Sequence, residues 1–294
     1  MVVLLQCMIV QMLSKEVAAL GRVIFVTAFK GGVGKTTVSA NLAATLYALG
    51  NKVLVIDGDF GMRCMDMVLG VESETLFDCS DVLAGRCAPT AAMCEAGAGN
   101  GFSFIPAPIN LSDTKIPKSA FAELINEVRA DFDYIIIDSC AEMTDYYMAF
   151  ASTADEAIIV TLHQSTSVRA AEKTAARLSA MGIERQSLIV NGYRASFAEK
   201  GSLPDIVEII NRSSVRLLGV VPYCERLQAS QEAAELAFMG DPKKKASKWE
   251  AAFYNIAKRL CGERVLLFAG AESLKKRGSY KGIQSFTSKD IREE

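Results

Sequence analysis

The sequence has one histidine, seven prolines and no surplus of charge, with 32 Lys and Arg against 34 Asp and Glu. Seven prolines and 21 glycines are too few for a low-complexity chain. The near-neutral balance, net −2, argues against broad nucleic-acid binding and leaves room only for a local basic patch. Eight cysteines are present, yet none forms a C-x-x-C pair, so a metal or iron–sulfur centre has little support. Reduced thiols in a cytoplasmic protein are the expectation. The lone His163 follows an apolar run and is expected on the surface at a strand end, not as a general base. The apolar stretch over residues 1–13 is too short for a membrane-spanning helix. Residues 1–13 are apolar but broken by Gln6 and Gln11, and lack the basic start and small-residue cleavage site of a signal peptide. They read as an upstream extension or a misplaced start. With half of its residues hydrophobic, the chain has material for one large α/β domain or two small ones.

One stretch then organises the rest. Val23-Ile24-Phe25-Val26-Thr27 reads as a buried strand and residues 38–49 as a helix. Between them lies Lys30-Gly31-Gly32-Val33-Gly34-Lys35-Thr36-Thr37. Gly31, Gly32 and Gly34 allow backbone angles that a side chain forbids. Their N–H groups can point at phosphate oxygens beside the positive end of the helix. Lys35 can reach the β- and γ-phosphates, and the Thr36 hydroxyl suits Mg²⁺, a hard ion.

Short apolar strands alternating with helices predict a parallel sheet with its ligands at the strands' C-terminal ends. Lys52 to Asp57 is such a strand and ends in Asp57-Gly58-Asp59. Asp131 to Asp138 is another, ending in an acid. At these positions a carboxylate can orient or deprotonate a water that attacks the γ-phosphate, or bind the water shell of Mg²⁺. Asn191, at the end of the strand from Ser187, can donate to and accept from an adenine edge. Pro222 and Tyr223, closing the strand from Leu217, could flank the base. Phe121, Leu124, Ile125 and Val128 show helical spacing within 118–129. Residues 88–101 read as a connection with a short helix.

The loop carries a lysine, Lys30, at its opening, and Phe29 stands where the ordinary pattern has glycine. This K-G-G-x-G-K-T-T form resembles the deviant P-loop of the MinD/ParA family of ATPases. Asp59-Phe60-Gly61-Met62-Arg63-Cys64-Met65-Asp66-Met67-Val68-Leu69-Gly70 resembles the MinD-branch segment D-x-G-L-R-N-L-D-L-x-x-G. Phe77-Asp78, Asp81-Val82-Leu83, Gly85, the run Ser165 to Arg169, and Leu227-Gln228-Ala229-Ser230-Gln231 continue the likeness. The resemblance implies an ATP-sandwich homodimer in which Lys30 reaches the partner's nucleotide. It implies that Asp59 is the switch I carboxylate that aids hydrolysis, with Asp57 as its close support, and that Asp138 opens switch II. The implied catalytic residues are Lys30, Lys35 and Asp59. Gly31 to Thr37 with Asn191, Pro222 and Tyr223 hold ATP, and Thr36, Asp57 and Asp138 serve Mg²⁺. The chain departs from the pattern at Cys64 (usually Asn), at Gly192 (often Arg), and in switch II. There Asp138-Ser139-Cys140-Ala141-Glu142 replaces D-x-P-x-G, losing a proline and a glycine.

The expected architecture is an extension over 1–21, one α/β P-loop NTPase domain over 22–262, and a tail over 263–294. The domain is expected to have a mainly parallel sheet with helices on both faces. The family's tail is an amphipathic membrane-binding helix. Here Val265-Leu266-Leu267-Phe268 and Leu274-Lys275-Lys276-Arg277 supply apolar and basic residues without a clean helical stripe. Membrane contact at the inner face of the cell membrane thus competes with a disordered or partner-binding tail. The expected function is a Mg-ATP-dependent dimerising ATPase in spatial regulation of cell division, with protein partners of the MinC and MinE kind. A low-turnover nucleotide-gated scaffold (flagellar number, secretion or signalling) is the alternative that Cys140 and Glu142 favour. A ParA-like DNA-partitioning ATPase is the other, and the charge balance argues against it.

Overall fold

The computed structural model describes residues 20–72, 74–96, 101–110, 116–238 and 246–267. The stretch 1–13 and the basic segment Leu274–Arg277 lie outside them. Eight strands form one sheet: β1 (Arg22–Thr27), β2 (Val53–Gly58), β3 (Cys94–Glu95), β4 (Ser103–Ile105), β5 (Tyr134–Ser139), β6 (Glu156–Leu162), β7 (Gln186–Tyr193) and β8 (Arg216–Pro222). Their spatial order is β3-β4-β2-β5-β1-β6-β7-β8, and every pairing is parallel except β3 with β4. The antiparallel edge strand falls in the region expected to be a connection with a short helix. A 3₁₀ turn, Pro89–Ala91, is there, and β3 follows it. Two residues are too short to show a period of two, so only the neighbouring β4 defines them as strand.

The central strands are apolar on both faces because helices cover both. Val23, Phe25, Leu54, Ile56, Ile135 and Ile137 point to one side. There α4 (Lys118–Val128), α5 (Asp145–Ala151), α6 (Ser165–Ala180) and α8 (Ile206–Ser213) cover them. Ile24, Val26, Val53, Val55 and Ile136 point to the other, against α1 (Lys35–Ala48), α2 (Met65–Leu69) and α10 (Lys248–Leu260). α3 (Cys79–Leu83), α7 (Ala195–Glu199) and α9 (Glu225–Glu232) complete the described helices. This two-sided burial is what continuous Val/Ile runs in a parallel sheet signify.

On β8 the alternation slips. Leu217 and Val220 face one cluster while Leu218 and Val221 face the other, and the β7–β8 register shifts beside them. Gly219 sits in the slip, where a Cβ would lie 2.2 Å from Ile256 Cγ1 of α10. Only glycine lets that helix approach so closely. Beyond α10 the chain stays tied down, since Val265 and Leu266 carbonyls accept from Arg259 Nη1 and Asn255 Nδ2.

Candidate nucleotide site

The loop 28–34 leaves β1 at the C-terminal edge of the sheet and turns into α1. Gly32 and Gly34 have φ of +71° and +90°, the left-handed region that glycine adopts without strain. Gly34 caps α1 with no side-chain hydrogen bond, so first-turn N–H groups are left for an anion. Phe29 is accommodated by its ring, 5.8 Å from that of Tyr147, and by its N–H, which donates to Thr174 Oγ1.

Thr36 Oγ1 donates to Asp138 Oδ2 at 2.7 Å, and Ser39 Oγ donates to the other oxygen at 2.8 Å. Asp57 lies beside Asp138 in register across β2 and β5. Burial pushes the Asp138 carboxyl up to about 6, against the pull of Thr36, Ser39 and Lys35. Burial, then the charge of Asp138, pushes Asp57 well above the carboxylate range. Two desolvated carboxylates, a hydroxyl and a mostly buried Lys35 are a donor set that suits a Mg²⁺ ion and the phosphates of a nucleotide. Among the described residues no three His, Cys, Asp or Glu side chains enclose a metal by themselves. That also suits Mg²⁺, which is held by one or two carboxylates together with phosphate oxygens.

Asp57 does more than face the loop. Its Oδ1 accepts from Asp59 N–H at 2.9 Å and its Oδ2 from Met65 N–H at 3.3 Å, so it holds both ends of the 59–65 turn. Asp59 Oδ1 accepts from Gly61 and Met62 N–H within that turn. Arg63, at φ +43°, pairs with Asp66 at 2.6 Å. In the 138–144 segment the Glu142 side chain faces solvent, and its carbonyl accepts from Cys140 Sγ and from Thr144 N–H, both at 3.0 Å. A thiol hydrogen bond therefore closes the turn where the family pattern has proline and glycine.

Lys30 Nζ donates to Gln164 Oε1, Thr166 Oγ1 and Ser167 Oγ of its own chain, at 3.0–3.3 Å. The start of α6 is thus not capped by a serine. Gln164 is the N-cap residue, and its side chain makes no bond to the helix's own N–H groups, while Ser165 accepts from Arg212. Asn191 packs against the loop itself. Its Nδ2 donates to Val33 O at 2.9 Å and its Oδ1 accepts from Gly192 N–H. A Cβ on Gly34 would lie 2.3 Å from that Nδ2. Pro222 and Tyr223 line a cavity of about 410 Å³ together with Tyr193 and Arg194, and the Arg194 guanidinium stacks 3.6 Å from the Tyr223 ring centre.

His163 is not at the surface. It is 3% exposed, and its Nε2 accepts from Arg194 N–H. Burial, then the Arg194 charge, lowers its pKa, which keeps the acceptor nitrogen free of a proton. Tyr193 and Arg194 cover the end of β6, and no local pattern announces that cover. Sequence reading also missed Ser39 and Gln231, which accepts from Thr37 Oγ1 at 2.6 Å. Ser39 could have been found from its position, one helical turn beyond Thr36 on the same face.

Comparison with known proteins agrees with this geometry. A model for the AAA domain matches residues 21–186. The septum site-determining protein MinD of Bacillus subtilis is 36% identical over 270 residues, covering 91% of this chain and 98% of that protein. MinD of Synechocystis is 36% identical over 246 residues, covering 84% and 91%. MinD in the MinC:MinD cell division protein complex of Aquifex aeolicus superposes with a TM-score of 0.77 at 30% identity, covering 85% of this chain and 99% of that one. MinD of Pyrococcus horikoshii, complexed with Mg-ADP, superposes at 0.72 with 27% identity, covering 82% and 96%. With a phosphate loop, paired strand-end aspartates and relatives that span the whole domain, the chain belongs to the MinD/ParA family of nucleotide-binding P-loop ATPases, on its MinD side.

Proposed function

We propose that this chain is a Mg-ATP-driven switch of the MinD kind, acting in septum-site placement through an ATP-dependent homodimer. The observation that carries this is the Lys35–Thr36–Asp138 constellation at the mouth of the glycine loop, with Asp57 and Asp59 on the adjacent strand end. Gly31 to Thr37 would cradle the phosphates through backbone N–H groups, and Lys35 would neutralise the terminal ones. Thr36 and Asp138 would hold Mg²⁺ and its water shell, and Asp57 would fix the turn that carries Asp59. Bound there, Mg²⁺ supplies charge stabilisation for phosphoryl transfer. Asp59 would orient the attacking water once its carboxylate leaves the Gly61 and Met62 N–H groups. Asn191 would set the loop's position beside the base, with Pro222 and Tyr223 along the base's edge.

Lys30 would exchange three neutral oxygens on α6 for the phosphates of a partner's nucleotide, a stronger, charge-assisted set of acceptors. Protein partners of the MinC and MinE kind, and peripheral attachment to the inner membrane face through the tail, belong to the same reading. Among the described residues no helix is long and apolar enough to cross a membrane. The test is light scattering of Asp59→Ala with Mg-ATP and with Mg-ADP. A doubled mass with ATP alone is expected, and a monomer under both nucleotides overturns the reading. The low-turnover scaffold is a second reading, favoured by the Cys140–Glu142 turn. Phosphate release separates the two, because the scaffold binds ATP and scarcely turns it over.

A further inference from the structure

Two adjacent tyrosines open α5, the helix that follows the 138–144 segment, and they face different elements. The Tyr146 ring lies 4.9 Å from that of Phe60, the residue after Asp59. Phe150, one turn further along α5, meets Phe60 edge-on at 5.8 Å, so the helix grips that ring twice. Tyr147 points elsewhere. Its ring lies 5.0 Å from Phe25 and 5.8 Å from Phe29, and its hydroxyl bonds Thr27 Oγ1 at 2.9 Å. Thr27 ends β1 and Phe29 leads into the glycine loop. Burial holds the Tyr147 phenol up at about 12, so this hydroxyl keeps its proton at any working pH.

At this same N-terminal end α5 is tied to the segment before it. Thr144 caps the helix by accepting from Tyr147 N–H at 3.1 Å, and Cys140 Sγ lies 3.8 Å from the same Thr144 oxygen. Cys140 stands two residues after Asp138. A helical turn is stiff, and interlocked rings in a close-packed interior shift together rather than deform. The geometry points to Tyr146 and Tyr147 as positioning residues that make α5 a relay. Movement at 138–144 is transmitted through Tyr146 to Phe60 and Asp59, and through Tyr147 to Thr27, Phe29 and the phosphate loop. The aromatic contacts at Phe29 and Phe60 then supply, by packing, a coupling that the departures at Cys140 and Glu142 would otherwise weaken. The inference rests on the proposed assignment of 59–65 and 138–144 as the nucleotide-responsive segments.

The test is hydrogen exchange on the full chain with Mg²⁺ and a non-hydrolysable ATP analogue, paired with steady-state phosphate release. In the unaltered protein the analogue protects both 57–66 and 138–144. In Tyr146→Leu protection persists at 138–144 and is lost at 57–66. kcat then falls about three- to tenfold, as expected for one aromatic pair, while KM holds within about twofold. Tyr146→Phe, which keeps the ring, restores both. Tyr147→Phe loosens residues 28–34 and leaves 57–66 protected. Should Tyr146→Leu not fold, Phe60→Leu cuts the same contact from the other side and is read in the same way. Protection of 57–66 in Tyr146→Leu equal to that of the unaltered protein overturns the relay, as does failure of Tyr146→Phe to restore it. Absence of protection in both segments of the unaltered protein removes the switch assignment, and the relay with it.

Discussion

At the N-terminal ends of the central strands, buried and half-buried charges are matched. Arg22 reaches Glu156 and the Leu260 carbonyl, while Arg129 forks onto Asp155 and also donates to Gly21 O. Asp155 in turn accepts from Val23 N–H. At the C-terminal ends of the same strands, Asp57 and Asp138 lie side by side and buried. Hydroxyls and backbone N–H groups satisfy their oxygens, but among the described residues no arginine or lysine forms an ion pair with either. One end is arranged for stability. The other holds excess negative charge that a bound cation would relieve, so it costs stability in the free protein.

The largest break in that contrast comes from removing the lysine whose charge acts on Asp138 at the C-terminal ends. Lys35→Ala is expected to lower nucleotide affinity by about 100-fold or more, the scale of a lost buried contact between lysine and phosphate. Calorimetric titration measures this, and retained affinity would detach the loop from nucleotide binding.

Next is Asp138→Asn, which should stabilise the nucleotide-free protein at pH 7 by about 1–3 kcal/mol while abolishing Mg-dependent turnover. The sign follows from the raised carboxyl, whose ordinary value is 3.8 and whose folded value is about 6. The folded state binds this proton more tightly than the unfolded state. The group's stabilising contribution is therefore complete below about 4 and is lost as pH rises through about 6. The gap between variant and unaltered protein should thus be smallest near pH 4, widen up to pH 6 and level off above it. Urea melts across that range measure it, and a gap independent of pH would show that the carboxylate is not strained.

The smallest effect is expected at the N-terminal ends of the strands. Arg129→Ala strips Asp155 and Gly21 O of their partner. It should cost about 1–2 kcal/mol, moderated by solvent at a partly exposed pair. Nucleotide affinity of the folded protein should not change, and a shift in it would mean that the two ends are coupled.

Much of the fold was legible because the signals are local. Val23 to Thr27, Lys52 to Asp57 and Asp131 to Asp138 are apolar runs ending in an acid or a glycine turn, and each became a central parallel strand. β3 was not legible, because two residues carry no periodicity and pair only with a strand nearly ten positions on. His163 read as an exposed strand end because the segment that buries it lies thirty residues away in the sequence.

By itself the sequence determined the glycine-rich turn between strand and helix, the run of buried parallel strands and the family. All three depend on residue types at short spacing, where backbone freedom and hydrophobic period act locally. The tertiary structure alone decided who meets whom. It placed Asp57 beside Asp138, Lys30 on α6, Asn191 on Val33, and Tyr146 and Tyr147 on different elements. Such contacts depend on strand order and helix packing, which bring together residues separated by dozens of positions and leave no mark in any one stretch of chain.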